Sequence, residues 1–135
     1  MSAAGALMAV LVETLAADPA VARLAEGIEP DRREPAGALP ALTLAELATA
    51  DWSTKTEAGA DVLLALTAHA RAGQTERARA LLDAACAALS PPPPVPGWQL
   101  VSLVERARAS AQAKGAAGPV RATAEWRARL LRVAS

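Results

Sequence analysis

The chain has 135 residues, which is enough for one domain and too few for two of ordinary size. Lys and Arg number 14, as do Asp and Glu. The net charge of zero argues against a nucleic-acid binder that works through bulk positive charge and against a polybasic membrane-surface protein. Phe and Tyr are absent, so the core must be built from Leu, Val and Ala with a few Trp anchors.

The first forty residues predict two helices and an extended connection. Apolar residues recur every three or four positions over residues 3–15, which is typical of an amphipathic helix. Asp18 before Pro19 is a helix start, so a short second helix is expected over residues 19–26. Residues 28–40 contain three Pro and five charged residues and predict an exposed connection. The apolar N-terminal run lacks the basic segment of a signal peptide, and we expect a soluble protein made in the cytoplasm.

The middle of the chain predicts two strands and a helix. Residues 41–47 follow a Pro, and Leu alternates with smaller residues at the start of this segment, which favours a strand. Residues 49–60 are polar and predict a long loop. Period-two alternation over residues 61–71 predicts a half-buried strand, and an apolar face at helical spacing predicts a helix over residues 73–89.

The C-terminal third predicts two more strands after a proline-rich linker at residues 91–97. Alternation predicts strands over residues 98–110 and 120–130, with a turn over residues 112–119 between them. The expected fold is therefore α+β: a mostly antiparallel four-stranded sheet with helices packed on one face, in the order α-α-β-β-α-β-β. We expect one domain over residues 1–135.

The chain lacks the side-chain sets that catalysis and metal binding need. His69 and Cys86 are the single His and Cys, which excludes a His–His metal pair, a Cys-based zinc site and an internal disulfide framework. His69 is expected to face solvent or an interface, and Cys86 to be a small core residue. The carboxylates of the proline-rich connection are mixed with Arg and lie in no shielded site. We expect a protein that is not an enzyme and that has no cofactor and no metal.

Charge is distributed unevenly along the sequence. Residues 1–70 contain four basic and ten acidic side chains, and residues 71–135 contain ten basic and four acidic ones. The net charges are therefore −6 and +6. Either the fold intermixes the two halves and cancels this asymmetry, or the protomer has an acidic and a basic face. Two such faces would favour head-to-tail association, which closes into a ring when the rotation allows.

Several segments, in order and spacing, resemble the small tail-completion or tail-terminator proteins of siphovirus-like phages and gene transfer agents. The resemblance begins with the run LAADPAVARLAEGIEP at residues 15–30 and the PALTL strand at residues 40–44. It continues with the loop DWSTKT at residues 51–56, a strand ending near residues 69–71 and the closing segment WRARLLRV at residues 126–133. The excess of Ala and of Arg over Lys is typical of a GC-rich bacterial genome.

The resemblance implies a structural function without chemistry. It implies a ring, hexameric in the family, that caps the tail tube, ends its polymerisation and joins it to the head–tail connector. Its partners would be further copies of itself, the tail tube protein and the connector. DNA would pass through the lumen without sequence-specific binding, and no membrane would be involved. The protein would be part of the virion tail or neck, assembled in the bacterial cytoplasm.

Candidate contacts between subunits lie on Arg-rich strand faces and in the polar loop before the second strand. These residues are Asp51, Trp52, Lys55, Glu57, Asp61, Arg106, Arg108, Arg121, Arg127 and Arg129. An ordinary solvated sheet face is the alternative interpretation of the Arg set. The alternative function is a small α+β regulatory domain that dimerises and binds a metabolite.

Overall fold

The computed structural model describes residues 2–112 and 118–133. Its elements are α1 (Ala3–Ala17), α2 (Pro19–Leu24), β1 (Gly27–Pro30), β2 (Ala41–Asp51), β3 (Gly59–Ala70), α3 (Thr75–Ala88), β4 (Trp98–Gln112) and β5 (Val120–Arg132). The strands form one sheet in the order β1-β2-β3-β5-β4. The predicted α+β class is confirmed. Residues 113–117, within the predicted turn, lie outside the described residues.

Both N-terminal helices begin at the residues that the sequence indicates. The Ser2 hydroxyl accepts a hydrogen bond from the Gly5 amide at 3.0 Å, and the Asp18 carboxylate accepts one from the Val21 amide at 3.1 Å. Each side chain thereby satisfies one of the amides that a helix leaves free at its start. The second helix ends at Leu24, earlier than predicted, because Ala25 is already extended.

The sheet has five strands and is mixed, which corrects the prediction of four mostly antiparallel strands. Residues 27–30, predicted mostly as part of the exposed connection, form β1 and pair in parallel with the start of β2. Every other neighbouring pair of strands is antiparallel. β1 has four residues and one large apolar side chain, that of Ile28, so it is too short to show an alternating pattern in the sequence. Pro30 has no amide to donate and is tolerated because β1 is an edge strand.

The polar loop is shorter than predicted, because both strands that flank it are longer. β2 continues to Asp51 and β3 begins at Gly59, so the loop covers residues 52–58 rather than 49–60. A shift in strand register between Glu46 and Ala48 allows β2 to continue beyond its alternating part. Such a bulge leaves no sign in the period of the sequence.

The core lies between the helices and one face of the sheet. Along β5, Ala122, Ala124, Trp126, Ala128 and Leu130 are buried, whereas the residues between them are half-buried. The helices supply further fully buried leucines to this core, among them Leu7, Leu11, Leu15, Leu81 and Leu82. The predicted alternation of β5 is confirmed: every second residue faces the helices, and the residues between them face the other side of the sheet.

Gly59 is the glycine whose replacement we expect to disturb the sheet. A Cβ atom there would lie 2.6 Å from the Trp52 carbonyl oxygen and 2.9 Å from Leu131 Cδ2. Because backbone atoms must move to make room, Gly59→Ala should lower the free energy of unfolding by about 1–3 kcal/mol. Urea unfolding followed by circular dichroism measures this change. Gly27→Ala is the matched control, since its Cβ would meet nothing within 4 Å, and an equal loss in both variants would contradict the steric explanation.

Candidate assembly interface

The face of the sheet opposite the helices is formed by cross-strand rows of mostly small side chains. One row is Ala45, Ala65, Glu125 and Ala107, and the next is Ala48, Leu63, Arg127 and Val104. We call the surface made by these two rows, together with the row of Ala50, Asp61, Arg129 and Ser102, the open face. Val104 is 56 % exposed there. A sheet face in contact with water is usually polar, so these apolar residues are notable.

Asp61 is the electrostatic centre of the open face. Its carboxylate accepts hydrogen bonds from Arg127 Nε at 2.9 Å and from Arg129 Nε at 3.4 Å. The Arg129 guanidinium also lies 5.3 Å from the centroid of the Trp52 ring. The hydrogen bond from Arg127 and, to a smaller extent, that from Arg129 lower the pKa of Asp61. Desolvation of the carboxylate has the opposite effect but is outweighed. The cluster connects β3, β5 and the polar loop.

Arg106 and Arg108 lie on opposite faces of the sheet, although the sequence predicts them on the same face. A register shift between Glu105 and Ala107 changes the alternation of β4. Arg106 Nη1 is on the open face, 4.0 Å from Glu125 Oε1 and beyond hydrogen-bonding distance. Arg108 is on the helix side, where it donates to Glu105 at 2.6 Å and to Asp83 of α3. Arg108 therefore joins α3 to β4 within the protomer.

The remaining predicted contacts lie at the end of β2 and in the polar loop that follows it, at one end of the open face. Asp51 accepts a hydrogen bond from the Ser53 amide at 3.3 Å. Lys55 and Glu57 are exposed, and the Glu57 carbonyl accepts from the Thr54 amide at 2.8 Å, which closes the turn. Trp52 is half-buried against Arg129. The structure thus brings Trp52 of the loop into contact with Arg129, a partner of Asp61.

The other end of the open face is covered by the segment of residues 31–40. His69, expected to face solvent or an interface, is buried beneath it and only 3 % exposed. Its Nε2 shares a hydrogen bond of 2.8 Å with the Thr43 hydroxyl. Arg121, one of the predicted contacts, donates to Glu34 of the covering segment at 3.1 Å. The expectation for His69 is wrong because the sequence does not indicate that this segment folds back over the sheet.

Three ion pairs on the side of the sheet away from the helices connect the acidic and basic halves of the sequence. Glu34 and Asp61 belong to the acidic half, and their partners Arg121, Arg127 and Arg129 belong to the basic half. This arrangement favours the first alternative given by the charge asymmetry, in which the fold intermixes the two halves.

Burial of His69 predicts a loss of stability in mild acid. Desolvation lowers the pKa of His69 below its ordinary value of 6.5, with the nearby Arg121 adding to this effect and Glu34 and Glu29 opposing it. The unfolded chain therefore binds a proton first, and stability should fall as the pH drops from about 6.5 toward the folded-state pKa. The pKa values of Glu29, Glu105 and Asp61 are lowered as well by the hydrogen bonds that their carboxylates accept, so a second loss should begin as the pH falls below the ordinary Glu value of 4.5.

The midpoint of urea unfolding, measured between pH 7 and pH 3, tests this pH dependence. His69→Gln keeps a hydrogen-bonding side chain beside Thr43 and does not titrate. It should remove the first loss and leave the second. An unchanged slope between pH 6.5 and pH 4.5 in this variant would contradict the assignment to His69.

Within the described ranges, no three His, Cys, Asp or Glu side chains come close enough to hold a metal ion. The same part of the chain contains no helix that is long and apolar enough to cross a membrane.

The comparisons with known proteins agree with the resemblance described above. Residues 9–131 match the family described as "Tail completion protein gp17". A chain in the solved structure "Virion of native gene transfer agent (GTA) particle" superposes with a TM-score of 0.79 at 26 % identity, and the match covers 96 % of this chain and 98 % of that chain. No curated protein matches the sequence. The predicted resemblance is confirmed: the chain belongs to the tail completion protein gp17 family.

Proposed function

We propose that the chain is a structural protein of a phage tail or of a gene transfer agent particle. In this proposal six copies form a ring that caps the tail tube, ends its polymerisation and offers a second surface to the head–tail connector. DNA passes through the lumen during delivery, and none of the arginines is assigned to its path, because a lumen that passes DNA should bind it weakly.

The observation that carries the proposal is the extent of the two matches. The family match spans residues 9–131, and the likeness to a chain of the gene transfer agent virion covers 96 % of this chain. The similarity therefore involves the whole domain, including the loop and the strands that contain the candidate contacts. A shared core with different surface loops would support only a shared fold.

The arrangement of the protomer also supports self-assembly through unlike surfaces. One side of the sheet is covered by helices, and the other side has small apolar residues beside charged ones. Contacts between two different surfaces are heterologous and generate rings when the rotation closes. We propose the open face and the loop residues Asp51, Trp52, Lys55 and Glu57 as parts of the subunit contacts, whereas Arg108 acts within the protomer.

Electron microscopy of particles assembled without this chain tests the capping function. Tail tubes should then exceed their normal length and vary in length, because nothing stops the addition of tube subunits. Heads and tails should also fail to join. The wild-type chain, supplied from a second copy of its gene, should restore uniform tails.

Tails of normal length, joined to heads in the absence of the chain, would contradict the proposal. The alternative of a dimeric regulatory domain makes a different prediction for the purified protein. It predicts a dimer that a small molecule stabilises, and a ligand-dependent rise in melting temperature together with a dimeric mass would favour it.

A further inference from the structure

Helix α1 has an apolar surface on the side that faces away from the core. Among its 15 residues, Glu13 is the one charged residue. Leu7 and Leu11 face the core, but Ala9 and Ala16 on the other side are exposed. A helix that is hydrophobic all round is normally buried on all sides. The outer side of α1 therefore has the composition of a contact surface.

Helix α3 provides an internal comparison, because it covers the same face of the sheet. Its outer side is formed by charged residues, among them Glu76, Arg77, Arg79 and Asp83, which are exposed. This is the usual pattern of a surface helix. Of the two long helices, α1 therefore has the less charged outer side, with Glu13 as its one charged residue.

The apolar surface continues from α1 into a groove beside it. Ala6, Ala9, Val10 and Glu13 form one wall of the groove, and Trp98, Arg132 and Val133 lie on the opposite wall. The groove has a volume of about 540 Å³, and Val133 is 52 % exposed. An apolar side chain from another molecule could contact Val10, Trp98 and Val133 there, beside the charged Glu13 and Arg132.

The open face has a hollow lined by small side chains and an exposed cation, which fit the apolar outer side of α1 and its carboxylate. Ala48, Ala50 and Leu63 form the floor of a hollow of about 310 Å³, with Arg106 and Arg127 at its sides. Arg127 is hydrogen-bonded to Asp61. The guanidinium of Arg106, by contrast, lies 4.0 Å from Glu125, and its side chain is 48 % exposed. The small side chains leave room for a helix to approach, and Arg106 supplies a cation that a carboxylate would pair with.

Helix α1 is also long enough to cross the open face. A helix of 15 residues is about 22 Å long. The four strands from β2 to β4 extend about 15 Å across the sheet. The helix therefore spans the open face, and the exposed Val104 of β4 is at the edge of that face, where a neighbouring groove would receive it.

We propose that α1 of one copy packs on the open face of the next copy, with Glu13 beside Arg106 and Val104 in the groove next to α1. The proposal rests on the self-assembly proposed above and specifies its contact. The two surfaces lie on opposite sides of one sheet, so each copy uses one of them toward each neighbour. The contact is heterologous and adds a helix layer to a sheet face that the protomer leaves uncovered.

Cross-linking between two cysteine variants tests this contact. Ala9→Cys marks the outer side of α1 and Ala48→Cys marks the open face, and both positions are exposed. A mixture of the two variants, treated with a short bismaleimide, should give cross-linked dimers, whereas each variant alone should give none. The chain that carries both changes should give a ladder of oligomers. Native Cys86 is buried and burial raises its pKa to about 11, so the wild-type chain is the unreactive background.

Ala87→Cys, exposed on the outer side of α3, is the matched control and should not cross-link to Ala48→Cys. Equal cross-linking from Ala87→Cys would overturn the proposal. Sedimentation of the same samples tests the α1 contact and the proposed ring separately. Oligomers that form without links between positions 9 and 48 would contradict the α1 contact alone, and a stable dimer as the largest species would contradict the proposed ring as well.

Discussion

Leu64→Ala is expected to lower the free energy of unfolding by about 2–5 kcal/mol. Leu64 lies on the helix side of β3, is 2 % exposed and belongs to the set of largest fully enclosed side chains. Truncation removes buried apolar surface and leaves a cavity in a core that contains few large residues. The change in the urea midpoint at pH 8, above the titrations of His69 and Asp61, measures the loss.

The neighbouring Leu63 is the matched control for this prediction. It points to the open face and is half-buried in the protomer. Leu63→Ala should therefore cost clearly less folding stability than Leu64→Ala, but it should weaken association between copies. Equal losses of folding stability would mean that the open face is part of a core, and the assignment of the two faces would be wrong.

Reversing the charge of Glu13 or of Arg106 is expected to weaken self-association strongly. In the proposed contact, Glu13→Arg brings two cations together, and Arg106→Glu brings two carboxylates together. Like charges at an interface cost several kcal/mol, so each reversal should raise the dissociation constant at least about tenfold. The double variant restores an opposite pair and should recover most of the affinity. Sedimentation velocity over a range of concentrations measures all three.

Glu76→Arg is the control for Glu13→Arg, because it changes the net charge by the same amount on the exposed outer side of α3. It should leave association unchanged. Recovery in the double variant distinguishes a specific contact from a general effect of charge. Two reversals whose losses simply add would contradict the pairing of Glu13 with Arg106.

The sequence predicted those parts of the fold in which one period holds over a whole element. Val120–Arg132 alternates without interruption, so its buried and half-buried residues were predictable one by one. The helix starts at Ser2 and Asp18 follow from local hydrogen bonding. β1 was not predictable, because four residues with one large apolar side chain have no period and their pairing with β2 depends on the tertiary fold.

The positions of the candidate contact residues in the fold were predicted in part, whereas their role in contacts between subunits stays a prediction. Arg127 and Arg129 were expected on a strand face, but Asp61 was counted with the polar loop, and its pairing with them depends on the neighbouring positions of β3 and β5 in the sheet. The bulge in β4 moved Arg108 to the helix side, and no residue type signals it. The apolar outer side of α1 could have been recognised from its single charge.

The mass of the assembled species tests the central claim most directly. Native mass spectrometry and light scattering of the purified chain, at concentrations where it self-associates, should give six times the mass of 13.8 kDa, with a central opening in electron micrographs. Glu13→Arg should shift that population toward the monomer. A stable dimer whose mass does not change with concentration, with Glu13→Arg or with Arg106→Glu would contradict the account.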